Sequence, residues 1–339
     1  MKKFTLGFVC HGRTYTDMTI ITLYSLYLSL TSSYGFNDII EEIMVVTDEI
    51  DNVFIRFAKK IHKNVRVISP SNWSESGLPS YNGSYVTYFK FDLLFNLPIN
   101  KSMIYLDSDA FVVGEFDLNF ISDRISNSRT TESILMVPSH RPAIEKIGFI
   151  GAANPFNYFN AGFMVITLSK QLTVAKLLSH RNSYYPKSYE VITMGDQDLF
   201  NSYFRDMIEP LPLRYNVSSG MLSKFNFRKG NLNYLVINEF KQAIIAHASG
   251  GILQSKKYYP YRESIARISL QGMNDIQFQK SHRLVFEQFH LLMKTSSELK
   301  TNRIRQFFGL TPECSPYLYK ENIYWKCVLR ILLRKLKIS

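Results

Sequence analysis

Met103-Ile104-Tyr105-Leu106-Asp107-Ser108-Asp109 decides how this chain is read. Four apolar residues form a strand that delivers two carboxylates, one small residue apart, onto the turn at its end. Residues at i and i+2 of a strand face the same way, so Asp107 and Asp109 can converge on one cation. A hard divalent ion held by carboxylates can bridge a diphosphate and neutralise the charge that develops as a nucleotide leaves. The other reading of these seven residues is an acidic turn, and the rest of the chain decides between the two.

Upstream, apolar runs over residues 4–10, 42–46 and 65–68 read as strands. Between them, and again before residue 103, segments 17–33, 53–62 and 85–95 read as helices. Residues 18–37 carry no charge and are long enough to cross a membrane. They are also rich in Ser, Thr and Tyr, which suits a helix buried over a sheet better. The strand–helix rhythm predicts an α/β fold, a Rossmann-like, mostly parallel sheet flanked by helices. Ligands of such sheets bind at the carboxyl ends of the strands. Further apolar runs at 134–138, 163–167 and 243–246 are candidates to extend the sheet, with helices over 170–180 and 198–206.

Downstream of the paired carboxylates, Asn160-Ala161-Gly162 precedes an apolar run. Asp196-Gln197-Asp198-Leu199-Phe200-Asn201 opens a helix, and His247 closes a strand before Gly250 and Gly251. DxD, NAG, DQDxxN and a strand-end His, in this order, resemble glycosyltransferase family 8 and its relatives of the GT-A fold, over roughly residues 3–260. The resemblance implies transfer of a sugar from a nucleotide sugar, a UDP-sugar for preference, with hexosyl transfer as the reaction.

It also implies roles for particular residues. Asp107, Asp109 and His247 become metal ligands, with Asp107 and Ser108 beside the donor as well. An imidazole among carboxylates favours Mn2+ over Mg2+; otherwise His247 is a satisfied core histidine. Lys90 takes a basic position that contacts the donor, or is a solvated lysine on an amphipathic helix. Asn160 and Gly162 become donor-sugar contacts, or simply a turn before a strand. Asp196 and Gln197 line the anomeric side of the sugar, and Asp196 also suits a helix cap. Val9, Cys10 and His11 fall where the family holds the nucleotide base. After its histidine and glycine the family continues to a Lys-Pro-Trp that grips the diphosphate. Here Leu253 stands in that place, and Gly250 and the later Lys256 and Lys257 are the candidates for that contact. The family retains anomeric configuration, which implies same-face attack by the acceptor hydroxyl assisted by the departing phosphate. An inverting reaction with an Asp or Glu base stays open.

The net charge of +12 is unevenly placed. Residues 1–240 carry 23 basic and 22 acidic side chains, and residues 241–339 carry 17 and 6. The last segment, YWKCVLRILLRKLKIS over 324–339, sets Lys326, Arg330, Arg334 and Lys337 beside an apolar face of Trp325, Val328, Leu329, Leu332 and Leu336. A basic amphipathic helix of that kind suits an anionic membrane surface; the bland alternative is a helix packed on the catalytic domain. The expected organisation is a GT-A catalytic domain over 1–255 and a helical basic appendage over 256–339.

Cys10, Cys314 and Cys327 imply neither a zinc site nor a disulfide framework, which fits a reducing cytoplasm. Lys2 and Lys3 precede an apolar run that His11-Gly12-Arg13 interrupts, so no secretory signal is expected. The setting expected is bacterial surface-polysaccharide or lipopolysaccharide synthesis, cytoplasmic and peripheral on the inner face of the cell membrane. A glycan or lipid-linked oligosaccharide is the acceptor and no nucleic acid is involved. The alternatives are a sugar nucleotidyltransferase, for which the loop His11-Gly12-Arg13-Thr14-Tyr15 is a weak signal, and a non-enzymatic basic protein binding nucleic acid or membrane. No GxxxxGK[ST], GxSxG or HExxH is present.

Overall fold

The structure is a computed structural model. It describes residues 2–49, 53–81, 83–112, 114–128, 132–139, 158–184, 195–218 and 242–247. They fall into two compact units, one of Met1–Ser108 with Phe116–Pro212, the other of Asp109–Glu115 with the chain from Leu213 onward.

The first unit is built around β1 (Phe4–Val9), buried on both faces from Phe4 to Phe8, as a central parallel strand must be. β2 (Ile40–Val46) and β4 (Ser102–Leu106) lie on either side of it, both parallel, and β3 (Val65–Ile68) runs parallel beyond β2. Beyond β4 the sheet is mixed. β7 (Phe159–Thr167) is antiparallel to β4, β6 (Ser133–Pro138) is antiparallel to β7, and β8 (Ile208–Pro210) closes the edge parallel to β6. The order is therefore β3-β2-β1-β4-β7-β6-β8. The chain steps outward from β1 to β3 and then returns to the other side of β1 as β4. That reversal sets the carboxyl ends of β1 and β4 side by side, the position where open α/β sheets bind ligands.

α1 (Gly12–Ser33) is the helix that the uncharged stretch predicted. Met18, Ile20, Leu23, Tyr24, Leu26 and Leu30 are buried, and so are Thr16, Thr19, Thr22 and Ser25. The hydroxyls are tolerated because each finds a carbonyl. Thr16 donates to Gly12 O at 3.0 Å, Thr19 to Tyr15 O at 2.6 Å and Ser25 to Thr22 O at 2.8 Å. α2 (Phe36–Ile39) is a single turn leading into β2. α3 (Val53–Ile61) buries Phe54, Ile55, Phe57, Ala58 and Ile61 and exposes Arg56, Lys59 and Lys60, the spacing of a one-faced helix. The helix expected over 85–95 is a 3-10 turn, Val86–Tyr88, followed by α4 (Phe89–Asn96). α5 (Leu118–Ser126) is capped by Asp117, whose side chain accepts from Phe120 N. α6 (Val174–Tyr184) and α7 (Asp196–Tyr203) begin elsewhere than the expected 170 and 198.

The second unit holds a separate sheet of β5 (Ala110–Val112), β10 (Ile245–His247) and β9 (Val217–Ser218). β10 is antiparallel to β5 and parallel to β9. The apolar run at 243–246 therefore does not extend the main sheet. Its backbone is committed to the segment after Asp109: Gly114 N–H donates to Ile244 O at 3.2 Å. A Cβ on Gly114 would sit 2.7 Å from Ala243 O, so only glycine fits this approach. Gly250, Gly251, Leu253, Lys256, Lys257, Cys314, Cys327 and the amphipathic segment 324–339 lie outside the described residues. Among the described residues no helix is long and apolar enough to cross a membrane.

Candidate active site

β4 ends at Leu106, and the next residue enters a buried ionic cluster of the first unit. Lys90, on α4 and only 8% exposed, places Nζ 2.9 Å from Asp107 Oδ1 and 2.6 Å from Asp196 Oδ2. Lys90 is therefore no solvated lysine. Tyr105 donates its hydroxyl to Asp107 Oδ1 at 2.6 Å, and its ring lies 5.2 Å from Lys90 Nζ. Thr87 donates to Asp196 Oδ1. Both oxygens of Asp196 are thus engaged. Burial works to strip Lys90 of its charge, but Asp107 and Asp196 outweigh it and hold the ammonium well above the ordinary lysine range. Burial pushes the Asp196 carboxyl up to about 6, against the lowering by Lys90. Asp196 follows Gly195, the N-cap residue, so it stands in the first turn of α7 rather than at the cap.

In the second unit, Asp109 and His247 face each other across the β5–β10 pair, Nε2 to Oδ1 at 3.2 Å. Asn216, fully buried, presents Oδ1 to His247 Nδ1 at 3.0 Å. An amide oxygen only accepts, so Nδ1 carries the proton there and Nε2 is the ring atom turned toward the Asp109 carboxylate. A ring nitrogen and a carboxylate oxygen at this distance have a proton or a cation between them. A ligating histidine commonly has its other ring N–H held this way by an oxygen acceptor. Asp107, Asp109 and His247 together are a group of metal-ligand type. Their donor set, two carboxylates and one imidazole, fits a borderline divalent ion.

The NAG segment is neither a simple turn nor a regular strand. It lies inside β7, where the register on β6 jumps from Met164↔Met136 to Asn160↔Val137. Ala161, Gly162 and Phe163 are thereby released from β6 as a bulge, and Asn160 Oδ1 closes it on Gly162 N at 2.8 Å. The backbone that is freed turns to the site. Ala161 O accepts from Lys90 Nζ at 3.3 Å, Ala161 N donates to Gln197 Oε1 at 3.3 Å, and Gly162 O accepts from Asp107 N at 2.8 Å. Gly162 thus supports the start of the acidic turn, and Asn160 remains half-buried beside it.

The end of β1 offers less than its residue names suggest. Cys10 is fully buried, its N–H bonded to Val46 O at 3.0 Å and its thiol 3.4 Å from Thr16 Oγ1, so its thiol is not available to a nucleotide. Val9 is half-buried at the strand end. His11 pairs through Nδ1 with Asp48 Oδ2 at 2.7 Å, both well exposed. Ser108 has its carbonyl fixed by Thr22 Oγ1 of α1 at 2.8 Å.

Several of these partners were not singled out from sequence. Asn216, Thr22, Thr87 and Tyr105 sit outside the short motifs, and Asp48 is visible only once β1 and β2 are paired.

A sequence profile described as glycosyl transferase family 8 matches residues 9–251. No curated protein matches the chain in sequence. Among solved structures, the galactosyltransferase LgtC in complex with donor and acceptor sugar analogues is similar, with a TM-score of 0.58 and 16% identity over 80% of this chain and 98% of that one. An active-site mutant of LgtC gives 0.56 with the same identity and coverage. The bifunctional glycosyltransferase WbbM, in its apo form, gives 0.54 at 15% identity over 82% of this chain and 51% of that one. The structural likeness agrees with the GT-A fold expected from the motifs. The readings as nucleotidyltransferase or as non-enzymatic binding protein give way. The chain belongs to glycosyl transferase family 8 and is a glycosyltransferase.

Proposed function

We propose that the protein transfers a sugar, with metal dependence, from a UDP-sugar to a glycan or lipid-linked acceptor. The observation that supports the metal dependence is the His247–Asp109 juxtaposition, in which Asn216 orients the imidazole so that Nε2 lies 3.2 Å from a carboxylate oxygen. Asp107, Asp109 and His247 would hold the ion, with Mn2+ preferred to Mg2+ because of the imidazole. The bound ion supplies charge neutralisation for the departing diphosphate.

Around it, the residues of this chain have distinct tasks. Lys90 holds Asp107 in place before any ligand arrives. Val9, the Cys10 backbone and His11 line the nucleotide side, and Asn160 and Gly162 the sugar side. Gln197 presents its amide to the anomeric face. Asp196 is held by both Thr87 and Lys90, and a carboxylate that would have to give up two partners is a poor covalent nucleophile. That supports same-face attack by the acceptor hydroxyl, with the leaving phosphate taking the proton and anomeric configuration retained. Gly250 and Lys256 are proposed for the diphosphate. Residues 256–339 are proposed as a basic appendage whose segment 324–339 docks on the inner face of a bacterial membrane, where surface polysaccharide or lipopolysaccharide acceptors are assembled.

The test is nucleotide release from a panel of UDP-, GDP- and CMP-sugars with Mn2+. Release from a UDP-sugar, abolished by EDTA and by Asp109→Ala, is expected. Release that persists in EDTA would sink the metal dependence, and release from a GDP- or CMP-sugar alone would sink the UDP assignment.

A further inference from the structure

Three hydroxyls buried on α1 close on the helix itself. Thr16 donates to Gly12 O, Thr19 to Tyr15 O and Ser25 to Thr22 O, the usual recourse of a hydroxyl inside a helix. Thr22 is fully buried too, yet its Oγ1 donates to Ser108 O at 2.8 Å, 86 residues away. Two turns on, the half-buried Ser29 accepts through Oγ from Phe116 N at 3.1 Å. The two contacts have a common object. The chain leaves the first unit after Ser108 and returns to it at Phe116, and Asp109–Glu115 between them belongs to the second unit. Residues i and i+7 lie on one side of a helix, about 10 Å apart along it. One face of α1 therefore holds both the exit and the re-entry of that excursion.

The exit is the acidic turn. Asp107 N donates to Gly162 O at 2.8 Å, and the Asp107 carboxylate is held by Lys90 and Tyr105. The Ser108 carbonyl belongs to the next peptide, the one that joins Ser108 to Asp109. A peptide is planar, so a hydrogen bond to its oxygen restrains the whole plane and with it the Asp109 Cα. Thr22 thus acts on the link between the two carboxylates. At the re-entry, Phe116 is fully buried with its ring edge-on to Phe163, centroids 5.9 Å apart. Phe163 pairs with Leu106, the last residue of β4. Exit and re-entry are therefore seated on the same strand end.

We propose that Thr22 and Ser29 are positioning residues, a two-point clamp by which α1 sets the Asp107–Asp109 turn and so its affinity for a divalent ion. Neither hydroxyl touches the ion; both act through the backbone, at Ser108 and at Phe116. This inference rests on the metal reading, and the test separates the two. Mn2+ binding to the full chain is measured by calorimetric titration and by the electron paramagnetic resonance signal of free Mn2+, with no turnover required. Thr22→Val keeps the branched shape, removes the donor, and is expected to weaken Mn2+ binding about tenfold. Thr22→Ser keeps the hydroxyl and stays within about twofold of wild type. Ser29→Ala frees the far end alone and weakens binding about threefold, the equivalent of a weak hydrogen bond. Ser29 is only half-buried, so this variant carries the test if Thr22→Val does not fold. Thr19→Val is the control: it removes a buried hydroxyl of the same helix whose bond ends at Tyr15 O, and its affinity stays within about twofold. Unchanged affinity in Thr22→Val or in Ser29→Ala would overturn the clamp. A loss in Thr19→Val equal to that in Thr22→Val would overturn it as well, since the effect would then belong to a loosened helix. A wild type that binds no Mn2+ would overturn the metal reading, and the clamp with it.

Discussion

Lys90→Met is the perturbation that most directly probes the ionic cluster. It preserves an unbranched apolar stem and removes the only charge placed between Asp107 and Asp196 in the described cluster. The Asp196 side chain is 6% exposed and that of Asp107 24%. Asp107 can therefore recover hydration, while Asp196 loses its ammonium with little access to water. Breaking a buried pair by deleting one partner costs about 3–5 kcal/mol, which lowers Tm by roughly 6–20 °C for a domain of this size. The effect has a pH signature. Burial raises the Asp196 carboxyl from 3.8 to about 6 in the folded wild type. The folded state then keeps a proton that the unfolded chain has released, so the stabilising contribution is full below about 4 and is lost as pH rises through about 6. Without Lys90 the folded carboxyl titrates higher still, and the loss continues to higher pH. Thermal melts at pH 5 and pH 8 read this out. The gap between wild type and Lys90→Met is expected to be narrow at pH 5 and full at pH 8. Lys90→Met with Asp196→Asn recovers part of it at pH 8, since no buried charge remains to be paired. Coincident melts at pH 8, or a gap as wide at pH 5 as at pH 8, would refute the reasoning.

Asn216→Ala removes the acceptor that aims His247 and should weaken Mn2+ binding about 10–100-fold by calorimetric titration; unchanged affinity would separate Asn216 from the metal. Gly195→Ala should destabilise by about 1–3 kcal/mol in urea denaturation. Its φ of 57° belongs to glycine, and a Cβ would lie 2.9 Å from Thr87 Cγ2; unchanged stability would mean that the turn relaxes freely. His180, bonded through Nε2 to Ser202 Oγ at 2.9 Å, is lowered from 6.5 by burial and then by Arg205. Its contribution is complete above about 6.5 and declines as pH falls, so His180→Gln should flatten the stability profile below about pH 6.5. A profile of unchanged slope would assign that dependence elsewhere.

The parts of the fold legible in the sequence are those whose burial imposes a period or a run. β1, β4 and residues 43–46 of β2 are largely apolar runs because both faces are covered, and α3 shows its one-sided spacing because only one face is. α1 is recognisable by the absence of charge, although its buried hydroxyls blur the pattern; they are permitted by bonds to carbonyls, those of Thr16, Thr19 and Ser25 within the helix and that of Thr22 on Ser108. The run at 243–246 has the composition of a core strand and gives no sign of which sheet it joins. That choice is made by backbone pairing with Ala110–Val112 and by a glycine with no room for a side chain. Composition carries burial; it does not carry register.

The site divides along the same line. The first Asp of DxD, the NAG segment and the first Asp of DQD name residues that meet at Lys90, because short spacings on a strand or a helix start determine direction. NAG nevertheless reads as a turn before a strand, since a bulge inside a strand and a turn ahead of one demand the same small residues. What orients the named residues is harder to see. Asn216 lies 31 residues from His247, Thr87 lies 109 from Asp196, and Tyr158 lies 40 from Asp198. None of these separations is a local period, so no window of sequence contains both partners. Their common physical origin is the burial of polar groups. Each buried donor or acceptor requires a partner, and for these groups the partners are side chains. A group bound on both sides by such requirements has one orientation available. Asn201, whose amide bonds Phe159 N, Phe159 O and Gln197 O from an ordinary helix, is held in that way.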